Sequence, residues 1–211
     1  MSLLVKICGL TRPEDVSCAI ENGADFLGFI VEAKSKRCLS VSQAARLSLP
    51  AKGIVARVAV TANADDKLLS RIMEQMSPDY IQCHGDEDFL RVADIAAKFD
   101  VKTIKACAIS DDMDMVTAGT FGAADILLLD AKAPKGETVR GGHGLVFDWN
   151  ILKNAPLPRH WALAGGLNPD NVAEAILRTK APMVDVSSGV ESSPAIKDHA
   201  KIKAFMKAAK K

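Results

Sequence analysis

The chain has 211 residues, 48% hydrophobic, 25% charged and 5% aromatic, with 27 Lys+Arg against 26 Asp+Glu for a formal net charge of +1. That is enough apolar material for one sizeable core. The balanced charge argues against nonspecific binding to nucleic acid or membrane, and the few aromatics argue against a stacking platform for single strands.

In chain order, residues 3–8 form an apolar run that ends in Cys8 and Gly9, and this predicts a strand. Thr11-x-x-Glu14 reads as a capping box with Pro13 in the first turn, and Asn22-Gly23 supplies the helix stop. Residues 25–31 and 54–60 are the next apolar runs. Asp65-Asp66 opens a helix whose Leu68, Leu69, Ile72, Met73 and Met76 share one face. A strand at 79–83 follows, then a helical pattern at 87–99 carrying Phe89, Leu90, Val92, Ala93 and Ala96. Strands are expected at 101–106 and 125–130, before one long irregular stretch at 131–147 whose glycines mark a functional loop. A strand at 160–164 leads to Asn168-Pro169, read as a cap plus first-turn proline, with Val172, Ala175 and Ile176 behind it. The last strand is 183–187. The final helix carries Ile202, Phe205 and Met206 and ends in lysines that suit a helix C-terminus.

Most of these strands are continuous in Val, Ile, Leu and Ala, the mark of strands covered on both faces. Eight strand–helix units at roughly 25-residue spacing fit a single-domain α/β (β/α)8 TIM barrel spanning residues 1–211. An open doubly wound sheet is the alternative, but no G-x-G-x-x-G follows a strand and no P-loop occurs. Five scattered cysteines, Cys8, Cys18, Cys38, Cys83 and Cys107, form no C-x-x-C pair, so no zinc site is expected. Unpaired thiols, with no signal peptide or membrane-length apolar run, predict a cytoplasmic protein.

In a barrel, polar residues at C-terminal strand ends face the site. Here they are Cys8, the Ser35-Lys36-Arg37 loop, Asn63, His84-Gly85-Asp86, Lys105, Asp130, Gly165-Gly166 and Ser187-Ser188-Gly189. The glycine turns, including Gly141-Gly142-His143-Gly144, offer backbone N–H groups to a phosphate, although glycines also simply make tight turns. Asp130 leaves a very apolar strand, which suits a proton donor; the alternative is a structural carboxylate bonded to loop amides. Cys8 is either a buried thiol or a base, with Lys6 and Arg12 near in sequence to favour its thiolate. Arg37 is either solvated or the partner of a carboxylate ligand. Gln82, His84 and Asp86 read as a network bracing their loop.

These segments resemble one known family. Lys6-Ile7-Cys8-Gly9-Leu10-Thr11, Gly28-Phe29, Ser35-Lys36-Arg37, Gln82-Cys83-His84-Gly85-Asp86-Glu87, Leu128-Leu129-Asp130, Leu163-Ala164-Gly165-Gly166 and Val184-Asp185-Val186-Ser187-Ser188-Gly189-Val190-Glu191 run in the order seen in N-(5′-phosphoribosyl)anthranilate isomerases of tryptophan biosynthesis. The resemblance implies a barrel aldose–ketose isomerase that uses no cofactor and no metal. It implies that Asp130 is the general acid and Cys8 the general base of an Amadori rearrangement. Arg37 would hold the anthranilate carboxylate. Gly142, His143, Gly144, Gly165, Gly166, Ser187, Ser188 and Gly189 would hold the phosphate. The expected partner is a small-molecule substrate, with neither nucleic acid nor membrane, for a monomer or homodimer. The sequence departs from the family's common pattern at Lys36, Cys38, Cys83 and His143. Two alternatives stand beside this reading. One is a histidine-pathway aldose–ketose isomerase, which would need an aspartate where Cys8 stands. The other is a noncatalytic phosphate-binding barrel, which would need neither Cys8 nor Asp130.

Overall fold

The computed structural model describes residues 2–132, 147–155 and 157–210. Eight parallel strands form a closed barrel: Leu4–Cys8, Phe26–Val31, Ala56–Thr61, Tyr80–Cys83, Lys102–Ile109, Ile126–Ala131, Trp161–Leu163 and Met183–Val186. The first strand closes the ring by pairing with both the second and the eighth, Cys8 opposite Gly28 and Lys6 opposite Asp185. That closure excludes the open sheet. Each observed strand overlaps its expected run. A two-residue strand, Cys38–Leu39, adds to the end of the second.

The alternation of side chains across each strand builds two cores. Phe26, Val58, Val60, Ile104, Ile126, Leu128, Ala162 and Met183 fill the barrel interior. Val5, Ile7, Leu27, Phe29, Ile81, Leu127, Leu129 and Val184 face outward. They meet the apolar faces of helices α1 (Pro13–Glu21), α2 (Val41–Ser48), α3 (Asp66–Gln75), α4 (Phe89–Phe99), α5 (Asp112–Gly119), α6 (Val172–Thr179) and α7 (His199–Ala209). The sequence reading did not single out α2 or α5. A 3-10 turn, Trp149–Asn154, stands between the sixth and seventh strands.

Three helix starts differ from expectation. Arg12, not Thr11, is the N-cap of α1, and it makes no side-chain cap bond. The Thr11 hydroxyl instead donates to Ala195 O at 2.6 Å, a tertiary bond that outcompetes the local cap. Glu87 lies outside α4, which Asp88 caps by accepting from Arg91 N. Asn168 caps the turn before α6 by accepting from Asp170 and Asn171 N–H, and the helix begins only at Val172. Asp65 and Asn22-Gly23 act as expected at the ends of α3 and α1.

One buried carboxylate ties the chain ends together. Asp15 of α1 accepts from Arg12 at 2.6 and 2.9 Å, from Lys197 N at 3.2 Å and from His199 at 2.9 Å. Burial works against its charge, but the bonds from Arg12, His199 and Lys197 outweigh that and hold its carboxyl below the usual range. Asp15→Ala leaves the buried Lys197 N–H without its acceptor, while the partly exposed Arg12 and His199 can turn to water, and it is expected to lower the unfolding free energy by about 1–2 kcal/mol in urea melts. With the folded value depressed, the Asp15 contribution is complete above about pH 4 and is lost as pH falls through the folded value.

Candidate active site

The polar ends of the strands meet at the C-terminal mouth of the barrel. A cavity of about 380 Å3 there is lined by Cys8, Arg37, Gln82, His84, Asp130, Asp185 and Ser187, with the 32–35 and 61–63 loops on one side. Cys8 and Asp130, 122 residues apart in the chain, therefore share one cavity.

Cys8 ends the first strand on its inward face and is 6% exposed. Lys6, two residues earlier, points the same way and lies fully buried against Asp185, Nζ to Oδ1 at 2.9 Å. A lysine and an aspartate each inside an apolar strand need each other as counter-ions. Burial pushes the Cys8 thiol up from its ordinary value. The positive charges of Lys6 and Lys197 pull the other way. Arg12 takes no part: its guanidinium turns to Asp15, Glu14 and Lys197 O. The cation beside the thiol thus comes from the strand interior and from a distant hairpin, because α1 carries Arg12 out of the mouth.

Gly28 stands opposite Cys8 on the second strand; the sequence offers it only as part of a segment of the family resemblance, with no role of its own. A Cβ there would sit 2.7 Å from Cys8 Sγ and 3.2 Å from its Cα. The missing side chain is the space the thiol occupies. Gly28→Ala is expected to reduce kcat between about 10- and 100-fold through displacement of the sulfur, with KM little changed in steady-state assays.

Asp130 projects from the end of the sixth strand, its side chain 16% exposed. His84 Nε2 stands 3.8 Å from Asp130 Oδ2, and His84 Nδ1 is 2.9 Å from Gln82 Nε2. Gln82 and His84 thus brace each other, as the sequence suggested, but His84 also faces Asp130. Asp86 takes a separate part by donating its N–H to Asn63 Oδ1.

Lys105 does not line this cavity. Ile104 and Ala106 fill the barrel interior, and alternation turns Lys105 outward. There it donates to Gly85 O at 2.8 Å and to Glu87 at 3.1 Å, along a second hollow of about 400 Å3. It holds the loop that carries His84.

Arg37 reaches the mouth, but not as a free guanidinium. Its Nε and Nη2 donate to the two oxygens of Glu191 at 2.6 and 2.7 Å. Its stem crosses Gly9, φ +72°, where a Cβ would collide with Arg37 Cδ. Glu191, Lys197 and Asp185 were missed as site residues. A charge inside the apolar run around Asp185 was the available signal.

Of the expected phosphate residues that are described, only Ser187 lines the shared cavity. Gly165 and Gly166 have φ of +86° and +62°. Among the described residues, neither N–H has a hydrogen-bond acceptor. Gly165 packs so closely on Ala131 N that a Cβ would come within 2.5 Å. Ser188 and Gly189 line a neighbouring hollow with Asn168 and Lys201. Gly142, His143 and Gly144 lie outside the described residues.

A family model described as N-(5′phosphoribosyl)anthranilate (PRA) isomerase matches residues 5–208. The chain belongs to this family. Among similar isomerases, that of Parvibaculum lavamentivorans is 44% identical, with 100% of each chain covered. That of Cereibacter sphaeroides is 45% identical, with 98% of each covered. The Thermotoga maritima isomerase structure covers 99% of this chain and 98% of its own, at 38% identity and TM-score 0.89. Another solved isomerase, in complex with reduced 1-(o-carboxyphenylamino)-1-deoxyribulose 5-phosphate, is 37% identical with TM-score 0.86, covering 99% and 98%. Among the described residues of this isomerase-family chain, no helix is long and apolar enough to cross a membrane.

Proposed function

We infer that the chain isomerises N-(5′-phosphoribosyl)anthranilate to 1-(o-carboxyphenylamino)-1-deoxyribulose 5-phosphate. The observation that carries the assignment of roles is the common cavity lined by Cys8 and Asp130. A 1,2 shift of this kind needs one proton donor and one acceptor. Asp130, entering protonated, gives its proton to the furanose ring oxygen; the C1′–O bond breaks and the anilino nitrogen lone pair forms an iminium. Cys8, as thiolate, then takes the proton from C2′; the C–H electron pair forms the C1′=C2′ double bond of the enolamine as the C=N π pair returns to the anilino nitrogen. The enolamine tautomerises to the ketone. Asp130 ends ionised and Cys8 protonated, and exchange with solvent through the open mouth restores both.

Gly165, Gly166, Ser187, Ser188 and Gly189 stand on the loops after the seventh and eighth strands, where barrels commonly hold phosphate. Gly142, His143 and Gly144 are assigned to the same phosphate by family resemblance alone. Arg37 receives the ring carboxylate. The presence of both a thiol and a carboxyl in one cavity favours an enzyme over a phosphate-binding barrel, and the thiol favours it over an isomerase built on two aspartates.

The test is turnover of phosphoribosylanthranilate, followed by loss of its fluorescence. Steady conversion to the deoxyribulose product is expected, and its absence in folded protein overturns the reading. Arg37→Ala is expected to raise KM at least tenfold, about the worth of one charge-assisted contact, with a smaller effect on kcat.

A further inference from the structure

We propose that Glu191, anchored by Lys197, is the positioning residue for Arg37, and that it leaves the Nη1 edge of the guanidinium as the docking edge for the ring carboxylate. The inference rests on the reading of Arg37 given above.

Glu191 opens a small hairpin after the eighth strand, Glu191–Ser193 against Ile196–Lys197, in which Glu191 pairs with Lys197. Its side chain is 6% exposed and accepts three bonds, two from Arg37 and one from Lys197 Nζ at 3.0 Å. A forked Arg–carboxylate pair is the geometrically specific form of ion pair. Burial works against the Glu191 charge, but Arg37 and Lys197 outweigh it and keep the carboxyl below its usual range.

Donor counting separates the two cations. An ammonium has three N–H groups. Lys197 directs its own at Glu191, Ser187 O at 2.9 Å and Ser187 Oγ at 3.4 Å, and it is 2% exposed. It has nothing left for a ligand and serves as an anchor. A guanidinium has five N–H groups, and Glu191 takes two. Among the described residues, Arg37 Nη1 meets no acceptor, and Arg37 lines the cavity. Taken by itself, the Arg37–Glu191–Lys197 side-chain triad has two cations and one anion, a single positive charge that Glu191 leaves uncompensated for a carboxylate.

The support is rigid. Thr11 and Arg12 bond the hairpin carbonyls of Ala195 and Lys197, and Lys201 Nζ bonds Glu191 O at 2.8 Å. Ser35 Oγ accepts from Arg37 N at 3.1 Å, and Gly9 lets the stem lie flat. A guanidinium held this way loses little freedom when a carboxylate arrives.

A double-mutant cycle tests this. Glu191→Gln is expected to raise KM for phosphoribosylanthranilate about tenfold, with kcat within about threefold. Glu191→Asp should recover part of the loss. Arg37→Ala with Glu191→Gln should match Arg37→Ala alone within about twofold, because the two side chains act as one unit. Since Glu191→Gln leaves Lys197 buried without its counter-ion, the same measurement on Glu191→Gln with Lys197→Met covers a folding failure, and the same rise in KM is expected. A raised KM in Arg37→Ala but an unchanged one in folded Glu191 variants overturns this proposal alone. So does an equal KM rise from Glu191→Gln in the Arg37→Ala background. An unchanged KM in Arg37→Ala overturns the Arg37 reading and this proposal with it.

Discussion

Cys8→Ala is expected to lower kcat for phosphoribosylanthranilate about a thousandfold while the protein still binds a reduced product analogue. A positioned general base contributes about 10²- to 10⁴-fold, and removing the sulfur leaves a methyl group that takes no proton. Loss of the thiol should not unfold the barrel, since alanine fits beside Gly28 and the Lys6–Asp185 pair remains. The pH dependence carries a sign. Burial raises the Cys8 thiol, so the free protein holds a minor thiolate fraction at neutral pH. The kcat/KM of the wild type should therefore climb as pH rises toward that raised value. Cys8→Ser, whose hydroxyl ionises far less readily, should lose this climb together with most of the rate. Near-normal turnover in Cys8→Ala would remove Cys8 from the chemistry.

Asp130→Asn is expected to cost kcat a similar factor, about a thousandfold, by a different route. The amide keeps the shape and the hydrogen-bonding capacity of the side chain but carries no acidic proton for the ring oxygen. Binding of the product analogue should survive, because the change is isosteric. Asp130→Glu lengthens the arm toward His84 Nε2, already 3.8 Å from Oδ2, and should recover only part of the rate. If Asp130→Asn turns over at the wild-type rate, ring opening needs no acid from this position.

The fold was largely legible before any coordinates. Eight runs of apolar residues, with amphipathic segments between most of them, state a parallel barrel, because strand burial on both faces shows directly in composition. Helix ends were less legible. Thr11 and Glu14 form a capping box on paper, yet Thr11 bonds Ala195, a residue 184 positions away. The site was legible in its residue types and positions: Cys8, Arg37 and Asp130 all reach one mouth. Their electrostatics were not. Proximity in sequence pointed to Lys6 and Arg12 as cations for Cys8; Lys6 does act on the thiol, but Arg12 turns to Asp15, and strand alternation takes Lys105 away from the mouth.

The sequence by itself determined which residues sit at the strand ends, since strand period and apolar runs are local properties of the chain. Only the tertiary structure decided which charges meet. The Lys6–Asp185 pair spans 179 positions and the Arg37–Glu191 pair 154, and both exist because the first strand closes the ring against the eighth. A counter-ion is chosen by distance in space, and barrel closure sets that distance.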